Sequence, residues 1–167
     1  TLLLFSFIFT GSLAIAQPKD RWTIQDGGAI RWSINDNIPH DDHLEMSGQQ
    51  LSVVLRYGVD AQKRFHLNRS LVFPMLRMHP NKTQNNLKQR FDVNIPALVT
   101  VDDQTLLNEE VRDVTFNGIM RVESSFGYIY RRKELKDAVQ LTRVLYPSTN
   151  AAHYCEEYTF KNSSPNQ

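Results

Sequence analysis

Apolar and polar residues alternate along most of this chain, most clearly over positions 51–59. Every second residue there is apolar: Leu51, Val53, Leu55, Tyr57 and Val59. Val54 is the one apolar residue among the intervening positions. Because successive side chains of a strand point to opposite faces, this pattern predicts a β-strand with one buried face.

The same alternation predicts strands elsewhere. A turn at 60–62 leads to a strand over 64–78, in which Pro74 favours an edge position or a bulge. The apolar face of that strand comprises Phe65, Leu67, Leu71, Phe73 and Met75. Residues 22–24 and 30–34 alternate around Asp26-Gly27-Gly28, which predicts a β-hairpin.

Shorter strands are predicted downstream, over 97–101, 111–116, 120–126, 128–132, 139–146 and 154–161. Asn117-Gly118 predicts a type I′ turn between two of them. Residues 104–110 offer at most one helical turn. About nine or ten short strands with short turns indicate a sandwich or a barrel, so we predict an all-β fold with little helix.

The first sixteen residues predict export. An apolar run at 2–9 precedes an Ala-Ile-Ala motif that ends at Ala16, as in a secretory signal peptide cleaved after that residue. The run is short for a membrane span, so we expect no membrane association after cleavage. Neither Met nor a basic stretch precedes the run, so we expect the natural start to lie upstream of Thr1.

The net charge and the cysteine content bear on the partners and the compartment of the protein. Nineteen Lys and Arg against eighteen Asp and Glu leave a net charge of +1, spread along the chain, so we expect no nucleic-acid partner. The single cysteine, Cys155, cannot form an internal disulfide. An exported chain without disulfides is typical of a bacterial periplasm or cell surface.

The densest polar cluster is segment 39–48 (PHDDHLEMSG). Two histidines and three carboxylates occupy its centre: His40, Asp41, Asp42, His43 and Glu45. In a strand, Asp41, His43 and Glu45 would share one face, and His40 and Asp42 the other. Three interpretations stay open: hydrogen bonding to sugar hydroxyls, metal ligation, or a solvated loop whose side chains bond local backbone groups.

Arg77 lies inside an apolar stretch of the predicted 64–78 strand. A buried arginine needs a carboxylate or carbonyl partner. It therefore either fixes a loop, which we favour, or contacts a ligand, and we keep Arg77 among the candidate substrate contacts.

Other candidates have simpler explanations. Several aromatic residues could stack on sugar rings, although aromatics at strand spacing are more often core: Trp22, Trp32, Phe126, Tyr128, Tyr130 and Tyr154. The pairs Glu109/Glu110 and Glu156/Glu157 are poor acid–base pairs because neighbours on a strand point to opposite faces. We expect no catalytic residue, metal or cofactor within this chain.

Several motifs resemble those of exported Bacteroidota proteins of the six-hairpin glycosidase superfamily, often described as α-L-rhamnosidase-like. The similar segments are GGAIRW (27–32), PHDDHLEMSG (39–48), YGV (57–59), PMLR (74–77), PNKT (80–83), RVLYPS (143–148) and EYTFKNS (157–163). The resemblance covers nearly the whole chain after residue 16.

The resemblance implies a large supersandwich-like antiparallel β-sandwich over 17–167, followed by an (α/α)6 barrel that holds the catalytic carboxylates. It also implies that loops of the sandwich, including 40–45, cap the substrate cleft. The leading hypothesis is thus the N-terminal sandwich of an exported enzyme that hydrolyses glycosidic bonds in plant or host glycans. Its partners would be carbohydrate and the downstream catalytic domain. The alternatives are a free-standing carbohydrate-binding module or surface glycan-binding protein and, less favoured, a metal-dependent hydrolase built on His40, Asp42, His43 and Glu45.

Overall fold

A computed structural model describes residues 21–73, 88–101 and 103–164 of the chain. Its strands are β1 (Thr23–Ile24), β2 (Ile30–Ser33), β3 (His40–Ser47), β4 (Ser52–Val59), β5 (Phe65–Val72), β6 (Lys88–Phe91), β7 (Thr100–Val101), β8 (Gln104–Thr105), β9 (Leu107–Phe116), β10 (Met120–Tyr130), β11 (Lys133–Pro147) and β12 (Tyr154–Asn162). A 3-10 turn covers Ile95–Leu98. None of the described residues belongs to a helix long and apolar enough to cross a membrane. The predicted signal peptide at 1–16 lies outside the described residues.

The described strands pair antiparallel in two main sheets. One sheet has six strands in the order β1-β2-β9-β10-β11-β12, and the other has four in the order β3-β4-β5-β6. Strands β7 and β8 form a separate two-stranded ribbon. The inner faces of the two main sheets enclose one apolar core. The all-β sandwich predicted from the alternation is therefore confirmed.

Strand β4 shows why this chain folds as a sandwich. Its alternate residues are completely or almost completely buried: Leu51 just before it, then Val53, Leu55, Tyr57 and Val59. The facing residues come from the other sheet: Trp32, Val111, Val114, Met120, Val122 and Leu145. Burying one such aliphatic side chain contributes about 1.5–3 kcal/mol, so burial of this face favours packing of the two sheets against each other.

Two predicted hairpins form, one of them with a different turn. The β1–β2 hairpin has Gly27 and Gly28 at φ +84° and +82°, which glycine tolerates best. In the β9–β10 hairpin Phe116 pairs with Met120, so the loop has three residues. Only Gly118 within it has positive φ. The predicted type I′ turn at Asn117-Gly118 is therefore wrong, since that turn needs two consecutive positive φ values.

Some predicted boundaries also change. Of the predicted 97–101 strand only Thr100–Val101 is a strand, β7. Ala97 and Leu98 belong to the 3-10 turn Ile95–Leu98, because Pro96 fixes a φ that suits the first turn of a helix. Residues 104–110, predicted to form at most one helical turn, are β8 and the start of β9, where pairing with β10 decides the conformation. The predicted strands 120–126 and 128–132 are one strand, β10, which has irregular pairing around Gly127.

Candidate functional site

The predicted site segment 40–45 lies on β3, at an edge of the four-stranded sheet. Asp41, His43 and Glu45 are exposed on the outer face, as the alternation predicted. His40 and Asp42 take the inner positions of the same strand. Adjacent side chains of the segment therefore point to opposite sides of β3.

His40 and Asp42 lie at the margin of the core. The ring of His40 packs edge-on against Trp32 of the opposite sheet, with ring centroids 5.0 Å apart. Asp42 accepts a hydrogen bond of 2.7 Å from the backbone N–H of His43. Asp42 thus bonds a local backbone group, but it does so from a strand, so the interpretation of this segment as a loop is wrong. His40 packs between the two sheets.

A carboxylate–imidazole pair spans the outer face. Asp41, Gly58 and His66 are in register on three neighbouring strands. Nε2 of His66 lies 2.5 Å from Oδ1 of Asp41, directly above Gly58. A Cβ added at Gly58 would overlap both side chains. Glycine at this position is thus the condition for the Asp41–His66 contact.

The next row of the outer face is also polar. His43, Arg56 and Asn68 are in register two residues further along the same strands. Together with the Asp41–His66 pair they surround an open depression of about 520 Å³, which we call the outer-face depression. Its lining consists of Asp41, Asp42, His43, Val54, Arg56, Tyr57, His66 and Asn68. Burial, helped by the Asp42 charge, raises the pKa of Tyr57 above its ordinary value of 10.0, so its hydroxyl stays neutral.

The structure thus joins three residues of the predicted site, Asp41, Asp42 and His43, to partners that the sequence analysis did not select. Glu45 is exposed on the same face but lies outside this lining. Arg77 lies outside the described residues. The added partners, Arg56, His66 and Asn68, point to the same side of the sheet as Asp41 and His43. The alternation within each strand was visible in the sequence, whereas the pairing of β3, β4 and β5 was not.

Metal ligation by the four residues considered is not supported by their positions. His40 and Asp42 lie on the inner side of β3, whereas His43 and Glu45 lie on the outer side. Within the described ranges no group of three or more His, Cys, Asp or Glu side chains is placed to hold a metal ion.

A second polar cluster lies in the interior and was not predicted from the sequence. Arg69 of β5 is inward-facing between Leu67 and Leu71, and its side chain is only 3% exposed. Its guanidinium bonds both carboxylate oxygens of Glu156 and the hydroxyl of Tyr158. It also donates to two backbone carbonyls, at 3.1 and 3.3 Å. All five N–H groups of Arg69 therefore have acceptors, and the group joins β5 to β12.

Arg143 of β11 makes a similar arrangement nearby. It donates to Glu109 of β9 at 2.5 Å and to Ser124 of β10 at 2.9 Å, and its guanidinium lies over the ring of Phe65. Glu109 and Glu156 thus point inward, and their neighbours Glu110 and Glu157 are exposed. The prediction that each adjacent pair separates to opposite faces is confirmed.

The aromatic residues mostly serve the core. Trp32, Phe126 and Tyr128 are buried. Trp22 and Tyr154 are partly buried and pack against the core. Tyr130 is exposed at the β10–β11 turn, with the Arg131 guanidinium over its ring. None of these six aromatic residues lines the outer-face depression.

The fold and this surface define a class: an antiparallel β-sandwich with an open depression across one sheet, into which carboxylate, imidazole, guanidinium and amide side chains project. Comparison of the chain with models of protein families, with curated proteins and with solved structures found no match in any of the three.

Proposed function

We propose that this chain is the N-terminal sandwich of an exported enzyme that hydrolyses glycosidic bonds, and that its outer-face depression binds the glycan. The observation that supports the proposal most is the convergence of Asp41, His66, His43, Arg56 and Asn68 from three strands around one open depression of about 520 Å³. The catalytic carboxylates belong, in this proposal, to an (α/α)6 barrel downstream. Its second support is the resemblance of several sequence motifs to those of six-hairpin glycosidases.

The chemistry of the depression suits sugar hydroxyls. A hydroxyl both donates and accepts, and the lining offers two carboxylates, two imidazoles, an amide and a guanidinium. These groups are held on strands of one sheet, which limits the entropy lost on binding. An open depression also lets a polymer extend beyond the residues that contact it.

A free-standing carbohydrate-binding module is the second candidate. It is favoured by the single core that both sheets share, which makes the sandwich a self-contained folding unit. In either case the segment 1–16 directs the chain out of the cytoplasm, to the periplasm or cell surface. Sequencing the gene beyond the codon for Gln167 distinguishes the two, because only the enzyme requires a barrel there.

The proposed binding role predicts the effect of replacing His43. Its side chain is 75% exposed, so His43→Ala leaves the fold intact. We expect it to weaken glycan binding about five- to tenfold, the equivalent of one hydrogen bond. The measurement is affinity gel electrophoresis against arabinogalactan, homogalacturonan, chondroitin sulfate and gastric mucin.

Arg121→Ala is the matched control, since Arg121 is an exposed residue of the opposite sheet that pairs with Glu123. It should bind glycans as the unmodified chain does. Unaltered binding by His43→Ala, or binding of none of the polysaccharides by the unmodified chain, would refute the proposed role.

A further inference from the structure

The arginines in the described part of the chain differ in the groups that lie next to their charge. Six pair with carboxylates: Arg31, Arg64, Arg69, Arg112, Arg121 and Arg143. Arg21 and Arg131 lie over aromatic rings. Within the described part of the chain Arg56, Arg90 and Arg132 have neither kind of partner. Two of these three, Arg56 and Arg90, lie on the outer face of the four-stranded sheet.

Strand pairing brings these two arginines to one place. Arg56 of β4 is opposite Asn68 of β5, and Ser70 of β5 is opposite Arg90 of β6. Asn68 and Ser70 are two positions apart on the same face of β5, so an amide and a hydroxyl lie between the two guanidinium groups.

These side chains surround a second depression of about 270 Å³, lined by Arg56, Asn68, Arg69, Ser70, Arg90 and Asp92. Arg56 and Asn68 also line the outer-face depression, so the two are continuous. Among the charged lining groups Arg69 is neutralised by Glu156. The remaining charged groups of this depression are Arg56, Arg90 and Asp92, and their charges sum to +1.

We infer that this second depression recognises an anionic group on the bound glycan, either the carboxylate of a uronic acid or a sulfate ester. The guanidinium group presents paired N–H donors that match two oxygens of such an anion, and the charge strengthens each hydrogen bond. Asn68 and Ser70 supply neutral partners for neighbouring sugar hydroxyls. The inference rests on the proposed function, because it assigns a class of glycan to the same surface.

The test uses chondroitin sulfate with its carboxyl-reduced and chemically desulfated forms, and homogalacturonan with its carboxyl-reduced form. Neutral arabinogalactan completes the set. Affinity electrophoresis at low and physiological salt should show tighter binding of at least one anionic polymer than of its neutralised counterpart. Loss on carboxyl reduction identifies the carboxylate as the ligand, and loss on desulfation identifies the sulfate.

Arg56→Gln and Arg90→Gln should each weaken binding of the preferred anionic polymer about tenfold, as for loss of a charge-assisted hydrogen bond. Arg132→Gln is the matched control, because it removes the same charge from an exposed arginine at the β10–β11 turn. Circular dichroism verifies that all three variants fold.

Three outcomes separate the inference from the proposed function. Equal binding of anionic and neutralised polymers leaves the proposed function intact and overturns the inference. An equal effect of Arg132→Gln and Arg56→Gln also overturns it, because the attraction would then be nonspecific. Failure of the unmodified chain to bind any polymer overturns both.

Discussion

At the scale of single residues, the interior ion pair between Arg69 and Glu156 joins the two sheets. Arg69 belongs to the four-stranded sheet, and Glu156 belongs to an edge strand of the six-stranded sheet. Taking two charges out of water costs several kcal/mol per ion, so the intact pair adds little net stability. Removing one partner is different, because the other charge then stays buried without compensation.

This asymmetry predicts the behaviour of Glu156→Gln. The substitution keeps the size of the side chain but leaves the Arg69 charge unpaired, so we expect the free energy of unfolding to fall by about 3–5 kcal/mol. The measurement is urea denaturation at pH 7. Glu157→Gln is the control, because the neighbouring carboxylate is exposed and bonds the hydroxyl of Tyr146 on the surface. Equal losses in the two variants would contradict the role of the buried pair.

The same carboxylate makes stability depend on pH. Burial by itself would raise the pKa of Glu156, but hydrogen bonds from Arg69, Tyr158 and Tyr154 and the Arg69 charge leave it below its ordinary value of 4.5. A lowered pKa in the folded chain stabilises the fold above the unfolded pKa, and this contribution is lost as the pH falls below about 4.5. Repeating the urea series between pH 7 and pH 3 should therefore show a shallower decline for Glu156→Gln.

At the scale of elements, two turns meet at one end of the sandwich. The β3–β4 turn donates from the backbone N–H of Gln49 to Thr149 at 3.1 Å and from the amide of Gln50 to Asn150 at 3.0 Å. Both acceptors are backbone carbonyls of the β11–β12 turn. Gly48 is so close to that turn that an added Cβ would overlap the backbone carbonyl of Ser148.

Gly48→Ala should therefore lower the free energy of unfolding by about 1–3 kcal/mol, the usual cost of overpacking. The neighbour is backbone of another strand connection and cannot move aside alone. Gly58→Ala is the matched control, since its added Cβ meets only the ends of the Asp41 and His66 side chains, which can rotate. Thermal unfolding followed by circular dichroism compares them. A smaller loss for Gly48→Ala than for Gly58→Ala would show that the two turns do not depend on this contact.

The strands themselves were predictable to different degrees. The prediction of β4 was correct because its alternation is regular and its inner face is almost entirely buried. β5 was predicted as a strand, but the burial of its Arg69 was not predicted. A buried charge at this position is stable only because Glu156 lies opposite it, and that pairing is not visible in the sequence. Residues 107–110 were not predicted as strand because their pairing with β10 is a long-range interaction.

At the scale of the whole molecule, both sheets share one core. Trp32 of the six-stranded sheet is only 3% exposed and is buried in the same cluster as Val53, Leu55 and Tyr57 of the other sheet. Neither sheet can separate without exposing this cluster, so we expect a single cooperative unfolding transition.

Trp22→Phe tests this expectation, because it leaves Trp32 as the only tryptophan. Denaturation followed by Trp32 fluorescence, which reports on the core, should coincide with denaturation followed by far-ultraviolet circular dichroism, which reports on all strands. Separate midpoints would mean that the sheets unfold independently.

The alternation of apolar and polar residues was enough to determine that the chain is all-β, that β4 has one buried face, and that Asp41, His43 and Glu45 share a surface. These are local properties, because the two-residue period of a strand acts on neighbours in sequence. The tertiary structure alone decided that His66, Arg56 and Asn68 join that surface and that Arg69 meets Glu156. Such partners are set by strand order and register, which depend on how the two sheets bury their apolar faces together.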